Sequence, residues 1–185
     1  MPTDYKIPLG QVIAEFIDWL TLSGADYFDA FADGLEFLIY SVTDALTWFN
    51  PLVLIALFGL LTLLIQRKLR LTIFVLLSCL LILNLGYWQE TMETLAQVLF
   101  ATVTCVVIGV PLGIYAAHKP RFYTVMQPVL DLMQTVPTFV YLIPAIFFFG
   151  IGMVPGLIAT VIFVLPAPIR LTHLGVSSPP NSLIE

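Results

Sequence analysis

From Gln11 to about Trp48, apolar residues recur every three or four positions: Val12, Ile13, Phe16, Ile17 and Leu20, then Phe28, Phe31, Leu35, Leu38, Val42 and Leu46. That spacing gathers them on one face of a helix and leaves the intervening positions to acids. Ser23-Gly24 predicts a break into two helices, with Ser23 or Asp26 capping the second. Such a segment either lies along a membrane interface or over a helix bundle, or offers a partner a docking surface.

Beyond Leu46 the pattern changes to five apolar runs, residues 46–65, 71–88, 95–117, 126–150 and 154–169. Most approach the roughly 20 residues a helix needs to cross a bilayer. The last is shorter and can extend through Ile169 and Leu171. The expected fold is therefore all-α: a polytopic membrane helix bundle of about five transmembrane helices behind an amphipathic acidic N-terminal segment. The expected organisation is residues 1–45 for that segment, 46–93 for two leading spans and 94–185 for the remaining three.

Composition agrees with the pattern, since 59% of residues are hydrophobic and 10% charged, against about 25% charged in soluble domains. The net charge of −5 is unevenly placed, with eight of the twelve acids before residue 50, so it belongs to one segment. Six of the seven Lys and Arg residues fall on alternate loops: Arg67, Lys68 and Arg70; Lys119 and Arg121; Arg170. The positive-inside rule places these in the cytoplasm, and with them the C-terminus. The acidic N-terminus, Glu90 and Glu93, and the 150–155 turn are then extracytoplasmic. Trp48, Tyr87 and Trp88, near outer span ends, read as interfacial anchors. No signal-peptide pattern opens the chain, so insertion is expected to rely on the internal spans. Cys79 and Cys105 lie inside apolar runs and read as small hydrophobic fillers.

The motifs of intramembrane or nucleotide chemistry are absent from the sequence: no H-E-x-x-H, G-x-S-x-G, P-loop or glycine-rich dinucleotide turn. His118 and His173 read as ordinary exposed loop histidines. No catalytic residue, metal, cofactor or nucleic-acid partner is expected. Asp131 is the one ionisable residue within a predicted span, in MQPVLDLMQTVP. A carboxylate at membrane depth is costly unless it nears water or finds a partner. Arg170, at the cytoplasmic end of the next span, is the expected partner, in a structural pair or a gating contact.

Prolines are the other signal: Pro111, Pro137, Pro144, Pro166 and Pro168 all fall within predicted spans. Each removes a backbone hydrogen bond and disfavours helix at the preceding residue. In a membrane such breaks need neighbouring helices or a water-lined cavity, so their repetition predicts a conduit or a moving bundle. Pro137, Thr138, Phe139, Tyr141 and Pro144, in TVPTFVYLIP, are the candidate translocation pathway. Gly109 and Gly113 flank Pro111 and allow another helix to approach closely.

The stretch IGVPLGIYAAHKPRF, followed by QPVLDLMQTVPTFVYLIPAIFFFGIGMVPGLIATVIFVLPAPIRLTHLGV, resembles the permease subunits of binding-protein-dependent ABC importers, and most of all those for glycine betaine, proline betaine and choline. The resemblance implies an inner-membrane subunit of an osmoprotectant uptake system. It implies a second permease copy, a cytoplasmic ATP-binding subunit that carries out hydrolysis, and an extracytoplasmic solute-binding protein. Residues 94–185 then correspond to the first three of five core helices. SSPPNSLIE corresponds to the approach to the cytoplasmic coupling loop, with Glu185 its first residue, so the resemblance implies a core that is truncated there. The expectation that follows is that these residues insert but, even beside native partner subunits, do not by themselves support uptake; the alternative is a non-transporting membrane protein that binds or regulates a partner permease.

Overall fold

The computed structural model describes residues 9–178, and every regular element among them is an α-helix. Eight helices follow in order: α1 (Leu9–Thr47), α2 (Pro51–Gln66), α3 (Leu69–Asn84), α4 (Trp88–His118), α5 (Pro120–Thr135), α6 (Thr138–Phe149), α7 (Met153–Val164) and α8 (Pro166–Ser177). The approach to the expected coupling loop from residue 179 on, with its start at Glu185, lies outside the described residues.

The expected break at Ser23-Gly24 does not occur, and α1 runs unbroken for 39 residues. A single helical glycine costs only about 1 kcal/mol. The Phe28 ring also lies over Gly24, its Cε2 2.6 Å from where a Cβ would stand. Along α1, Ala32, Ile39 and Thr43 are buried, and Asp26, Asp29, Asp33 and Asp44 face outward. Ile39 packs with Ala96, Ala101 of α4 and Leu157 of α7. Phe28 and Phe31 meet Phe149 of α6 at ring-centroid distances of 5.6 and 5.8 Å. The second half of α1 thus lies over the bundle, whereas Val12, Phe16, Trp19 and Leu22 of its first half remain exposed.

A 90° bend at Asn50 separates α1 from α2, and the Asn50 side chain accepts a hydrogen bond from the Leu52 N–H at 2.9 Å. The α2–α3 hairpin closes where Gly59 meets Leu76, with a would-be Cβ 2.6 Å from Leu76 Cδ2. Of the expected anchors, Trp48 and Tyr87 are exposed, but Trp88 is buried with Leu54, Ile55 and Met92. Its indole therefore fills the junction of α2 and α4 and is not an interfacial anchor.

Two continuous helical stretches are long and apolar enough to cross a membrane, Trp88–His118 and Met153–Ser177, and each bent pair adds a further candidate, up to four. The apolar α3 has 16 residues, about 24 Å at 1.5 Å per residue. The first expected apolar run is divided at the Asn50 bend. The expected span at 126–150 is two helices set at 91°, because Val136, held extended before Pro137, ends α5. The last span continues past Arg170 to Ser177.

Candidate functional site

Only one of the five in-span prolines makes a sharp break. Pro111 and Pro144 sit inside α4 and α6, and Pro168 inside α8. Pro166 occupies the first turn of α8, where a missing N–H costs least, and Leu165 before it stays helical at φ −50°, ψ −37°. The expectation of repeated breaks is therefore corrected to a single elbow at Pro137.

Side chains reinforce that elbow. Tyr141 Oη on α6 donates to the Leu132 carbonyl of α5 at 3.0 Å, and the Val136 N–H donates to the same carbonyl at 3.1 Å. The Tyr141 phenol thus spans the corner and fixes the two helices relative to one another. Beyond the corner, Thr138, Phe139 and Leu142 of α6 face Gly156, Thr160 and Phe163 of α7 across an open cleft of about 240 Å³. Phe139 is 74% exposed. The Thr160 hydroxyl donates to its own helix at Gly156 O, 2.7 Å away, so the cleft offers mainly aromatic and aliphatic surface. Pro144 stands exposed on α6 and is not among the residues lining the cleft.

The structure brings Asp131 and Arg170 together: Arg170 Nη2 donates to Asp131 Oδ1 at 2.6 Å. Eight residues earlier on α5, Tyr123 stacks on His173 of α8 with centroids 3.6 Å apart and planes 5° from parallel. His118 and His173 are thus helical rather than loop residues, His118 with Nδ1 2.8 Å from the Ile114 carbonyl. Two side-chain pairs, one ionic and one stacked, tie α5 to α8.

On its other side α8 is seated on α4. A Cβ at Gly113 would stand 2.6 Å from Thr172 Cβ and 2.7 Å from the Ile169 carbonyl, and one at Gly109 would stand 2.7 Å from Pro168 Cγ. Nearer the start of α4, Gln97 Nε2 donates to the Met153 carbonyl of α7 at 3.1 Å, and Cys105 Sγ lies 3.7 Å from Val161 O. Positions advance together along both partners, so α4 and the α7–α8 unit run parallel. Parallel packing requires the chain between them to return across the same distance, and the α5–α6 elbow is that return.

Sequence reasoning missed Gln97, Tyr123 and the His173 stack. Gln97 carried a signal, as the sole amide in the apolar run 95–117; the aromatic pair carried none.

Residues 109–185 match the family described as binding-protein-dependent transport system inner membrane component. Over 180 residues the chain is 43% identical to the glycine betaine transport system permease protein OpuAB of Bacillus subtilis, an alignment covering 97% of this chain and 64% of that protein. It is 42% identical over 194 residues to the glycine betaine/carnitine transport permease protein GbuB of Listeria monocytogenes, covering 100% of this chain and 66% of that one. It is 40% identical over 179 residues to the glycine betaine/proline betaine transport system permease protein ProW of Escherichia coli, covering 97% and 50%. The chain thus spans between half and two thirds of the length of these relatives. The chain is thus similar along nearly all of its length to glycine betaine permeases, and its residues 109–185 carry the domain of binding-protein-dependent transport system inner membrane components.

Proposed function

We propose that this chain forms part of the translocation pathway of an ATP-driven importer for glycine betaine and related quaternary ammonium solutes. The observation that carries the reading is the 40–43% identity, over nearly the whole chain, to three permeases named for glycine betaine. The cleft beside the elbow is chemically suited to such a solute. A quaternary ammonium group donates no hydrogen bond and is held by aromatic faces, and Phe139 and Phe163 supply rings there. In this reading Pro137, Thr138 and Phe139 line the pathway, Tyr141 holds the elbow open, and Pro144 belongs to the same helix. Asp131 and Arg170 join α5 to α8 on the cytoplasmic side.

The proposed topology has five crossings: α2, α3, α4, the α5–α6 pair and α7–α8. The N-terminus is extracytoplasmic, and Arg67–Arg70, Lys119 with Arg121, and Arg170 are cytoplasmic. Residues 1–45 cover the extracytoplasmic side, 46–93 supply the leading spans and 94–185 supply core helices. The partners are a second permease copy, a cytoplasmic ATP-binding subunit that hydrolyses ATP, and an extracytoplasmic solute-binding protein. A conformational cycle needs ligands that bind its states with different affinity, and these partners supply them.

The test is accumulation of labelled glycine betaine in cells lacking other osmoprotectant importers and expressing the protein that carries this sequence with its ATP-binding and solute-binding subunits. Uptake is expected, and Phe139→Ala should reduce it about tenfold while membrane levels stay unchanged, from the loss of one ring contact of roughly 1–2 kcal/mol. Normal uptake in Phe139→Ala removes that residue from the pathway. No uptake with all subunits present overturns the transport reading.

A further inference from the structure

The α2–α3 hairpin carries a feature outside the proposed translocation pathway. Arg67 closes α2 in the left-handed region at φ 51°, and Lys68 opens α3 with an extended backbone. This tight turn puts Lys68 and Arg70 at the mouth of an open cleft of about 630 Å³, whose wall continues into Leu71 and Phe74. A second groove of about 350 Å³ adjoins it, sharing Gln66 and Leu71 and running between the two helices. The grooves run from the turn back to the level of the Gly59–Leu76 contact that joins the hairpin. The result is a single trough with a cationic head and an apolar body.

The charges at the head lack partners. Among the described residues the Asp131–Arg170 pair is the sole ion pair, and Arg67, Lys68 and Arg70 are all exposed. The trough body is apolar and lies on helices whose outward side chains, Leu61, Ile65, Leu69 and Phe74 among them, are exposed. Two cations at the mouth of an apolar groove, Lys68 and Arg70, complement an amphiphile with an anionic head and a hydrocarbon tail. A soluble phosphate would use only the head, and an apolar partner helix would leave the cations unmatched. We propose that the α2–α3 trough is a binding site for an anionic phospholipid, with its phosphate between Lys68 and Arg70 and an acyl chain along the groove. Basic pockets at the cytoplasmic boundary of membrane helices recognise such head groups through this combination.

Native mass spectrometry of the detergent-purified full chain, titrated with phosphatidylglycerol or with phosphatidylcholine of the same acyl chains, tests the site. Phosphatidylglycerol should be retained at one molecule per chain and phosphatidylcholine at least tenfold less. The variant K68Q/R70Q should weaken phosphatidylglycerol retention about thirtyfold, from two lost charges. The variant K119Q/R121Q loses equal charge at another basic turn and should retain the lipid as the parent does. Equal retention of both lipids, or an unchanged K68Q/R70Q, overturns the proposal. So does displacement by millimolar inorganic phosphate, which would make the head a soluble-anion site, and so does a chain dimer sealed through α2 and α3 without lipid.

Discussion

Arg170 and Asp131 meet through one carboxylate oxygen at 2.6 Å, with side chains 34% and 52% exposed. Pairs this exposed contribute only about 0.2–1 kcal/mol where water reaches both ions, as at the proposed cytoplasmic end. The expected coupling in a double-mutant cycle of Asp131→Asn and Arg170→Gln, read by unfolding in mixed micelles, is therefore below about 1 kcal/mol. A coupling above about 2 kcal/mol would mean that the pair works in a drier setting than the single chain provides. The members of this pair were legible in the sequence, because a lone carboxylate in an apolar run demands a partner. The Tyr123–His173 stack was not, since aromatic contacts fifty residues apart depend on where the elbow sends the chain. Tyr141 stood out as part of a motif, but its hydrogen bond to Leu132 required knowing the angle of the corner.

At the scale of the element, small residues decide how closely helices approach. Gly113→Val would drive a side chain into Thr172 and the Ile169 backbone, and backbone cannot rotate away as a side chain can. The expected loss is about 1–3 kcal/mol, from forced separation of α4 and α8. Gly34 on α1 has nothing within 4 Å of a would-be Cβ, so Gly34→Ala should instead gain up to about 1 kcal/mol of helix propensity. Unfolding midpoints of the two variants check both signs. Gly109 and Gly113 were legible as a packing face from their spacing of four. The prolines misled because an interior proline's cost of about 3 kcal/mol can be outweighed by packing. Pro111 lies in a helix held along much of its length by α7 and α8, whereas Pro137 follows a residue already turned to extended backbone. A pattern of prolines states where a helix is weakened; the contacts on either side settle whether it bends.

For the whole molecule, the all-helical class and the run of apolar segments followed directly from hydropathy. What did not follow was the course of α1, which the sequence left either on an interface or over the bundle. Its second half lies over the bundle through Ile39 and the aromatic cluster of Phe28, Phe31, Phe148 and Phe149. Phe149→Ala removes the two ring pairs that join it to α1, each worth about 0.5–1.5 kcal/mol beyond area. Faster amide hydrogen exchange should follow over residues 28–39 and not over α4. Uniform acceleration throughout would instead mean that α1 and the bundle open as one unit.

The long reach of α1 also orders events during synthesis. Ile39 leaves the ribosome more than fifty residues before Ala96 and more than a hundred before Leu157, residues it is buried with, and at about 5–20 residues per second the longer interval is a wait on the order of ten seconds. Through that interval the acidic helix has no finished surface to close on. Its exposed first-half stripe of Val12, Phe16, Trp19 and Leu22 can hold it at the lipid boundary meanwhile, so α1 is made well before it can close over α4 and α7.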